Sequence, residues 1–509
     1  MLYVKNLSIE IKGDHRLLID QLSFSVQAGD KIAIIGEEGN GKTVLLNAIA
    51  APEKVQENFQ ISGEILIQDE LIGYLPQMAT LSEMECSTES LLLERYSYAD
   101  LDWALYYELL QKLSFPEERI SGEVRVSELS GGEKIKFFLL LELLKSPTIL
   151  LLDEPSNDLD LESLAFLERF IQQQTIPILF VSHDEELLEH CANGIIHLQQ
   201  LRHKSRPQHS VQRLGYRDYL ELHEAGILKD SQLAAKDQEE YAIKVEKFRK
   251  IRDKVEQDLR SIEGRAGSDV AGRLLAKKMR SVKAQEGRLA REKESLRQKP
   301  DVESKILLSF FPDIDLPSQK EVLRFQLPEL RVGDLILAKN IEVNMTGPEK
   351  VVIVGPNGSG KTTLLRQILP ELEKSHLKIG YMPQNYVETM DPKGTPISYL
   401  TRSYEKEEQT RIRTFLGCLK FTAEEMLRPI ATLSGGQRAK LFFAGMILDR
   451  AEILLLDEPT RNLSPLSGPE IRAALKAYSG AILAVSHDRR FIEEVPDRVL
   501  RLSPEGLTD

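Results

Sequence analysis

Two segments of the chain carry the same glycine-rich pattern, and each ends in Lys-Thr. The first spans residues 36–43 (Gly-Glu-Glu-Gly-Asn-Gly-Lys-Thr) and the second spans residues 355–362 (Gly-Pro-Asn-Gly-Ser-Gly-Lys-Thr). Phosphate groups need several backbone N–H groups at close range, and glycines keep side chains out of that approach. The lysine adds a positive charge, the threonine hydroxyl can hold Mg²⁺, and the N-terminus of a following helix favours an anion. Since each segment follows an apolar, strand-like run, it predicts a nucleotide phosphate site rather than a turn without a ligand.

These two segments supply most of the residues that we expect to contact the nucleotide. They are Gly36, Gly39, Asn40, Gly41, Lys42 and Thr43 in the first segment, and Gly355, Asn357, Gly358, Ser359, Gly360, Lys361 and Thr362 in the second.

An acidic pair follows an apolar, strand-like run in each half of the chain. The pairs are Asp153-Glu154 and Asp457-Glu458. An aspartate at the end of a strand can hold Mg²⁺ through water, and the glutamate after it can polarise an attacking water as general base. The alternative is a pair of carboxylates that only cap a turn. With the glycine-rich segments present, the pairs predict metal-assisted hydrolysis.

Histidines recur at a fixed spacing, which reveals an internal repeat. His183 and His487 each stand in a Ser-His-Asp segment, 304 residues apart, and the same offset relates Asp153 to Asp457. A constant offset indicates two copies of one domain, and it favours a γ-phosphate contact for both histidines over a role in the core. Apolar runs alternate with helical stretches in each copy, as in an α/β domain with a parallel sheet.

Composition excludes several classes of protein. The net charge of −13 gives no global sign of nucleic-acid binding. The three cysteines, Cys86, Cys191 and Cys418, lack the spacing of a zinc site or a disulfide framework, which suits a reduced cytosol. The N-terminus lacks a signal-peptide core, and no apolar run approaches the roughly 18 to 20 residues that span a bilayer. We therefore expect a cytoplasmic protein.

Between the two copies the pattern becomes helical. The apolar residues at coiled-coil spacing in the first helix are Tyr241, Val245, Phe248, Ile251, Val255, Leu259 and Ile262. Gly264, Gly267 and Gly272 should then break the helix, and Met279, Val282, Leu289 and Leu296 mark a second one. Two helices joined by a glycine-containing turn predict an antiparallel hairpin. The expected domains are residues 1–215, 216–300 (the hairpin) and 301–509.

The predicted hairpin is basic although the chain is acidic. Residues 240–299 contain 18 Lys or Arg against 10 Asp or Glu, so the rest of the chain carries about −21. Such a region would attract RNA phosphates, and its few aromatic residues favour backbone contact over base stacking. The alternative is a solvated coiled coil that only separates the two copies. The candidate RNA contacts are Arg265, Arg273, Lys277, Lys278, Arg280 and Lys283.

Two further segments carry a resemblance to a known family. Residues 129–133 (Leu-Ser-Gly-Gly-Glu) and 433–437 (Leu-Ser-Gly-Gly-Gln) resemble the signature of the ABC ATPases. The resemblance implies an α/β fold with two P-loop ABC-type nucleotide-binding domains, which bind ATP and Mg²⁺ and hydrolyse ATP. It also implies a head-to-tail pair, in which the phosphate loop of each half faces the signature of the other. The signature residues then expected at the nucleotide are Ser130, Gly131, Gly132, Ser434, Gly435 and Gly436.

The same resemblance assigns roles to two glutamines. Gln77 and Gln384 follow Tyr-Leu-Pro and Tyr-Met-Pro and are similar to the family's Q-loop, which senses Mg²⁺ and nucleotide state. The implied metal set is Thr43, Gln77, Asp153, Thr362, Gln384 and Asp457. The implied catalytic set is Glu154, Glu458, His183, His487, Gln77 and Gln384.

The two implied ATP sites are not equal. Glu37 and Glu38 place negative charge in the first phosphate loop, and Ser464 stands where the first half has Asp160. Both departures affect the site built on the first phosphate loop, so we expect that site to turn over more slowly. Around 11–13 and 330–332 we find no aromatic residue to stack on adenine, so the preference for ATP over GTP rests on the resemblance.

A tandem chain with a charged helical linker is similar to the ABC-F group. Residues 216–220 (Tyr-Arg-Asp-Tyr-Leu) resemble that group's entry into the linker, and residues 277–283 resemble its basic second helix. This implies a monomer that binds the ribosome, with the hairpin near the peptidyl-tRNA and the peptidyl-transferase centre. Only 33 residues separate Thr43 from Gln77, a compact form similar to the antibiotic-resistance subgroup. The alternatives are a general translation factor and the ATPase subunit of a membrane importer; a DNA-repair ATPase would bring zinc ligands or much longer coils.

Overall fold

The computed structural model describes residues 1–13, 15–67, 70–99, 101–157, 159–200, 206–262, 269–295, 314–386, 389–403, 405–419, 421–461 and 463–509. These residues form two compact units. One unit combines Met1–Tyr216 with Glu303–Asp509, and the other is Arg217–Val302. The first unit contains both halves of the internal repeat.

The first half is built on two sheets. Its strands are β1 (Leu2–Ile11), β2 (Leu17–Val26), β3 (Lys31–Ile35), β4 (Phe59–Ile67), β5 (Ile72–Leu75), β6 (Ile149–Asp153), β7 (Ile178–Val181), β8 (Gly194–Gln200) and β9 (Arg206–Gln212). Its helices are α1 (Lys42–Ala50), α2 (Pro52–Val55), α3 (Leu81–Glu85), α4 (Thr88–Arg95), α5 (Trp103–Leu113), α6 (Gly131–Leu143), α7 (Leu161–Gln173) and α8 (Glu185–Cys191).

The larger sheet of this half positions the functional residues. Its strand order is β5-β6-β7-β3-β8-β9, with β5 to β8 parallel and β9 antiparallel to β8. Strands β6 and β7 are buried at every residue, which explains their continuous apolar sequences. The prediction of a parallel sheet is thus correct for the central strands and wrong at the edge, where a return strand closes the sheet. A smaller antiparallel sheet, β2-β1-β4, packs its apolar side on α1 and β3.

The second half repeats this architecture. Its strands are β10 (Glu321–Val332), β11 (Leu335–Thr346), β12 (Lys350–Val354), β13 (Ile379–Met382), β14 (Ile453–Asp457), β15 (Ala481–Val485), β16 (Arg498–Ser503) and β17 (Gly506–Thr508). Its helices are α11 (Lys361–Glu373), α12 (Pro396–Leu400), α13 (Lys406–Cys418), α14 (Gly435–Leu448), α15 (Gly468–Ala477) and α16 (Arg489–Glu494), numbered after the two helices of the other unit. The main sheet has the order β13-β14-β15-β12-β16-β17, again parallel except for its last strand.

The second unit contains two long helices, α9 (Tyr216–Ile262, which starts one residue before the unit) and α10 (Asp269–Ser295). Phe248 and Val255 of α9 pack with Val282 of α10, and the hydroxyl of Tyr241 donates to the carbonyl oxygen of Leu289 at 3.2 Å. Phe248 and Val255, which are both buried, lie seven positions apart on α9. The seam predicted from sequence is wrong at Val245 and Ile251, which are exposed.

The predicted helix break is also wrong in part. Gly272 lies inside α10, so it does not belong to a turn. Gly264, Gly267, Leu296 and the predicted turn lie outside the described residues, and the hairpin as a whole stays a prediction. None of the helices within the described ranges has the length and apolarity that a bilayer crossing demands.

Candidate functional site

Both phosphate loops connect a buried strand to a helix, as their sequences predict. The first loop lies between β3 and α1, and the second lies between β12 and α11. Gly41 and Gly360 cap these helices with φ of 92° and 94°, a region that side chains disfavour. At Gly36 a Cβ atom would lie 2.2 Å from the carbonyl oxygen of Leu198. The glycines are therefore required by backbone geometry as well as by access for a ligand.

The loop lysines are buried and turned onto their own loops. Lys42 Nζ donates to the carbonyl oxygens of Gly36 (2.8 Å) and Glu37 (3.2 Å). Lys361 Nζ donates in the same way to Gly355 (2.8 Å) and Pro356 (2.7 Å). Each ammonium group therefore lies in the curve of its loop, where phosphate oxygens could replace the carbonyl acceptors.

The polar side chains of the two loops differ in their surroundings. Asn40 Nδ2 donates to the carbonyl oxygen of Leu198 at 2.9 Å, so this side chain holds the loop to β8. Ser359 Oγ is buried, and no described residue forms a hydrogen bond with it. The nucleotide contact of Asn40 stays a prediction, and its side chain also positions the loop.

The acidic pairs stand at the ends of β6 and β14, which are equivalent buried strands in the main sheets of the two halves. Thr43 Oγ1 donates to Asp153 Oδ1 at 3.2 Å, while Asp153 Oδ2 is buried without a hydrogen-bond partner among the described residues. Burial raises the pKa of Asp153 to about 6 and also raises the pKa of Asp457. A buried carboxylate beside a threonine hydroxyl fits the oxygen ligands that Mg²⁺ prefers. These residues therefore fit a magnesium ion held next to the phosphate loop.

The glutamates of both pairs have an unusual backbone conformation. Glu154 and Glu458 have φ of 49° and 54°, in the left-handed region that residues other than glycine seldom adopt. This conformation costs on the order of 1–3 kcal/mol and is found mostly at functional sites. The bend occurs directly after the strand, so it sets the direction of the carboxylate that follows Asp153 or Asp457.

The two halves meet head to tail, and the contacts define two composite sites. Site 1 combines the phosphate loop 36–43 with the signature 433–437 of the other half, because the backbone N–H of Gly436 donates to Glu38 Oε2 at 3.1 Å. Site 2 combines the phosphate loop 355–362 with the signature 129–133. A cavity of about 1390 Å³ lies at site 2. Its lining includes Ser130, Gly131, Lys361, Thr362, Gln384, Asp457, Glu458 and His487.

The signature serines cap the helices that they begin. Ser130 Oγ accepts from the N–H of Glu133 at 3.3 Å, and Ser434 Oγ accepts from the N–H of Gln437 at 3.2 Å. Gly131 and Gly435 are the first residues of α6 and α14. A Cβ atom at Gly132 would lie 2.1 Å from Ser163 Oγ, so this glycine is also needed for packing against α7.

In site 1, three side chains converge on the candidate general base. Glu154 accepts from Gln77 Nε2 (2.7 Å) and Asn157 Nδ2 (2.6 Å), and His183 Nε2 lies 3.1 Å from Glu154 Oε1. Burial alone would raise the pKa of Glu154. Hydrogen bonding and positive charge from His183, with the charge of Lys42, outweigh burial and lower the pKa to about 2. Glu154 is therefore ionised, with its oxygens engaged by its own half.

In site 2, the equivalent glutamate lacks such partners among the described side chains. Glu458 Oε2 accepts from the backbone N–H of His487 at 3.2 Å. Burial raises the pKa of Glu458 to about 8, and the negative charge of Asp457 adds to the effect. Within the part of the chain that the structure describes, His487 Nδ1 is buried without a hydrogen-bond partner. Burial, with the charge of Lys361, lowers the pKa of this imidazole to about 4. Site 2 thus combines a glutamate whose pKa is raised with a histidine whose pKa is lowered.

The segments that follow the two acidic pairs each contact the opposite half, and their sequences differ. Asp160 Oδ2 accepts from the backbone N–H of Asn357 at 3.2 Å, which links the first half to the second phosphate loop. Ser464, at the equivalent position, lies 3.0 Å from Ser467 of its own half. The backbone of this second segment still contacts the first half, because His183 Nδ1 donates to the carbonyl oxygen of Leu463 at 2.7 Å.

An ion-pair cluster joins the halves away from the phosphate loops. Arg472 is 3% exposed and donates to both carboxylate oxygens of Glu185, at 2.7 and 3.0 Å. Arg489 pairs with Glu168 and Glu186, each at 2.8 Å. We call this set the α8–α16 cluster, and it also includes Arg490 and Glu189 at 2.5 Å. The acids all come from the first half and the arginines all come from the second.

Sequence reasoning did not find several of these residues. Asn157 could have been noticed, because it follows Glu154 by three residues in a tight turn. The α8–α16 cluster has no such signal, since its members are far apart in sequence. The aliphatic residues Val332, Leu335 and Leu337 line the cavity of site 2 at the turn of the β10–β11 hairpin, where no aromatic residue was found.

The candidate RNA contacts lie on the second unit. Lys277, Arg280 and Lys283 are exposed on α10. Arg273 and Lys278 lie on the same helix, but their side chains are outside the described part of the structure. Arg265 lies outside the described residues. The RNA contacts stay predictions.

Comparison with known proteins agrees with this architecture. A family model described as ABC transporter matches residues 19–157 and 338–461. The ribosome protection protein VmlR of Bacillus subtilis is 31% identical over 525 residues, which cover 99% of this chain and 86% of that protein. The ABC transporter F family member 5 of Arabidopsis thaliana is 26% identical and matches 97% of this chain and 74% of its own length.

Solved structures agree on the fold. The structure titled RNase-L Inhibitor superposes with a TM-score of 0.60 at 18% identity, covering 98% of this chain and 90% of that one. The family model matches two separate segments of the chain, and the sequence relatives extend over nearly all of it. The chain therefore belongs to the ABC-F family, with two P-loop ABC nucleotide-binding domains in one polypeptide.

Proposed function

We propose that the chain hydrolyses ATP between its two halves and uses their closure to set the pose of helices α9 and α10 on the ribosome. The observation that carries the ATPase part is the cavity of site 2, where Ser130 and Gly131 of one half share a wall with Lys361 and Glu458 of the other. A ligand that fills such a cavity contacts both halves at once. Its binding energy therefore favours the closed pair over the open one.

The chemistry at site 2 would follow from the residues in the cavity. Lys361 and the backbone of its loop would hold the phosphates, and bound Mg²⁺, held by Thr362, Asp457 and Gln384, would neutralise phosphate charge. Glu458 would take a proton from water as the water oxygen bonds to the γ-phosphorus and the bond to the bridging oxygen breaks. A base whose pKa lies near the working pH is most efficient, and the pKa of Glu458 is raised to about 8. His487 and Ser130 would contact the γ-phosphate.

Site 1 would bind a second ATP with the corresponding groups. Lys42, Thr43, Asp153 and Gln77 would hold the phosphates and Mg²⁺, while Ser434 and Gly435 would face the γ-phosphate. The three donors on Glu154 must release this carboxylate before it can act as a base, which supports slower turnover at this site.

The ribosome is the proposed partner. The support is twofold: VmlR, whose name identifies a ribosome protection protein, is similar over 99% of this chain, and the helices between the ATPase halves are rich in exposed basic residues. Lys277, Arg280 and Lys283 would contact ribosomal RNA or the peptidyl-tRNA through phosphates. We further propose a cytoplasmic monomer whose two ATPase domains (1–215 and 301–509) pair within the chain around a linker of residues 216–300.

Co-sedimentation tests the ribosome partner. The full chain with Glu154→Gln and Glu458→Gln, which should trap ATP, is centrifuged with 70S ribosomes in ATP at low and high salt. We expect it to pellet with ribosomes at low salt and to be released as salt rises. A trapped chain that stays in the supernatant at low salt contradicts the proposal.

A matched pair of variants tests the role of the linker. Lys277, Arg280 and Lys283 are changed to Gln in one variant, and Lys406, Arg411 and Arg413 of α13, which are also exposed on a helix, are changed to Gln in the other. Only the first variant should lose ribosome binding. Equal ribosome binding by both variants would show that the basic residues of α10 do not contribute to ribosome binding.

Antibiotic susceptibility tests the finer proposal of ribosomal protection. Cells with and without the protein are compared over a panel of ribosome-targeting antibiotics, and the comparison is repeated with Glu154 and Glu458 changed. We expect resistance that depends on both glutamates. Ribosome binding without any change in susceptibility would favour a general translation factor.

A further inference from the structure

The first phosphate loop presents two consecutive carboxylates to the opposite half. Glu38 Oε2 accepts from the backbone N–H of Gly436 at 3.1 Å, and Glu37 Oε1 lies 3.8 Å from Lys440 Nζ. Gly436 and Lys440 belong to α14, the helix that the signature begins. Both carboxylates therefore contact groups on the face of α14 that is expected to meet a nucleotide.

The N–H of Gly436 is a donor that a phosphate oxygen would otherwise occupy. It lies in the first turn of α14, where backbone N–H groups have no acceptor within the helix. Ser434 Oγ accepts from the N–H of Gln437, so the capping serine does not satisfy Gly436. The acceptor for Gly436 is the carboxylate of Glu38, an anion supplied by the chain itself.

The second phosphate loop provides an internal comparison. Pro356 and Asn357 take the places of Glu37 and Glu38, so the second loop presents no carboxylate to the opposite signature. The first loop accepts a hydrogen bond from the opposite half, whereas the second loop donates one: the backbone N–H of Asn357 donates to Asp160. At this site the loop and the signature both line a cavity of about 1390 Å³, which also reaches Gln77 and His183 of the first half.

We propose that Glu38 is an internal anion that takes the place of a nucleotide phosphate at the signature of site 1, and that it holds this site closed without nucleotide. This inference rests on the proposed function, because it concerns which of the two ATP sites opens and closes. Two further contacts act in the same direction: Glu37 pairs with Lys440, and His183 bonds to the carbonyl oxygen of Leu463 across the interface.

Two consequences follow for the nucleotide cycle. ATP that enters site 1 must displace the carboxylate of Glu38 and bring its own negative charges next to it, so site 1 binds nucleotide weakly. Opening and closing of the pair are then controlled at site 2, while site 1 stays closed as the fixed side of the interface.

Nucleotide binding at each site alone tests the first consequence. In a Lys361→Ala background only site 1 retains its loop lysine, and a fluorescent ATP analogue is titrated with and without Glu38→Asn, which installs the residue of the second loop. We expect Glu38→Asn to tighten binding at least about tenfold. The reciprocal change, Asn357→Glu in a Lys42→Ala background, should weaken binding at site 2. Unchanged affinity of site 1 on Glu38→Asn would overturn the inference.

Hydrogen exchange separates a closing contact from simple charge repulsion. In the nucleotide-free chain, the amide of Gly436 should be protected, and Glu38→Ala should speed its exchange about tenfold or more, because its acceptor is lost. Glu37→Ala is the control, since that side chain contacts Lys440 and not the amide. If Gly436 exchanges equally fast in the wild type and in Glu38→Ala, Glu38 does not close the site. Neither measurement involves ribosomes, so both can be interpreted even if the chain does not bind ribosomes.

Discussion

Site 1 and site 2 are made from equivalent segments of the repeat, but the segments contact different groups. In site 1 the candidate base accepts three side-chain hydrogen bonds from its own half, and the phosphate loop contacts the opposite signature directly. In site 2 the candidate base lies beside a cavity that both halves line. The motif residues of the two sites are almost the same, so the residues around them determine the difference in hydrogen bonding.

Two substitutions account for much of this difference. Glu38 replaces the asparagine that the second loop has at position 357, and its carboxylate reaches Gly436. Ser464 replaces the aspartate that the first half has at position 160, so among the described residues the bond from this position to the opposite loop is found only at site 2. A repeat can therefore keep every motif and still assign separate roles to its two sites.

The largest expected effect concerns the two glutamates. Glu458→Gln should lower the ATPase rate about 100-fold or more, because it removes the general base of the open site. Glu154→Gln should lower the rate less than about tenfold, since its carboxylate is already engaged by Gln77, Asn157 and His183. Steady-state phosphate release measures both. Equal losses would show that the sites are equivalent in turnover.

A smaller effect is expected from the crossing aspartate. Asp160→Ser copies the residue of the second half and removes the acceptor for the N–H of Asn357. Losing a hydrogen bond to a charged group costs about 1.5–3 kcal/mol, so ATP affinity at site 2 should fall at least about tenfold. Ser464→Ala is the control, because Ser464 bonds within its own half. An equal loss from the control would assign the effect to packing of the interface.

The pH dependence of stability should differ between the two glutamates. Glu458 keeps its proton in the folded state up to about pH 8, whereas the unfolded chain releases it near the ordinary value of 4.5. Between these values the folded state binds more protons, so stability falls as pH rises, by at most about 1.4 kcal/mol per unit. Glu458→Gln should remove this slope in denaturant unfolding of the nucleotide-free chain.

Glu154→Gln provides the comparison for that measurement. The pKa of Glu154 is lowered to about 2, so its contribution to stability is complete above the unfolded value of 4.5 and is lost only as pH falls through the folded value. The difference in stability between wild type and this variant should therefore be flat from pH 5 to pH 8. A slope for Glu154→Gln equal to that for Glu458→Gln would contradict the contrast between the sites.

The smallest expected effect concerns the nucleobase. Val332, Leu335 and Leu337 line site 2 with aliphatic groups, which have no donor or acceptor that could distinguish adenine from guanine. ATP and GTP should therefore bind to site 2 of the Lys42→Ala chain with affinities within about threefold of each other. Competition against a fluorescent nucleotide measures the ratio, and a preference above about 100-fold would require a polar contact to the base.

The sequence predicted the parts that local patterns determine. Strands β6 and β14 are buried at every residue, and apolar runs that end in Asp-Glu locate both of them. The glycine pattern of the phosphate loops is also a local feature, because Gly41 and Gly360 adopt φ near 90°, which favours glycine. The unequal sites were also expected, because Glu38 and Ser464 depart from the other copy at equivalent positions.

Other features depend on contacts between segments that are far apart in the chain. The spacing of residues within a segment does not reveal such contacts. The bond from Gly436 to Glu38 joins residues nearly 400 positions apart, so the sequence indicated only that charge was present. Val245 and Ile251 fit a coiled-coil spacing but are exposed, because α9 buries a narrower stripe that includes Phe248 and Val255. Gly272 continues a helix, since one glycine costs only about 1 kcal/mol there.

The α8–α16 cluster has a consequence for which polypeptide segments can associate. Because its acids belong to residues 168–189 and its arginines to residues 472–490, a homodimer of either half would bring like charges together at this surface. An unlike pair is favoured instead, and in any other arrangement the buried Arg472 would lose Glu185 and keep only Glu494 of its own half. Separately expressed halves should therefore reassemble with one another and resist homodimer formation, because the surface at which they join selects an unlike partner.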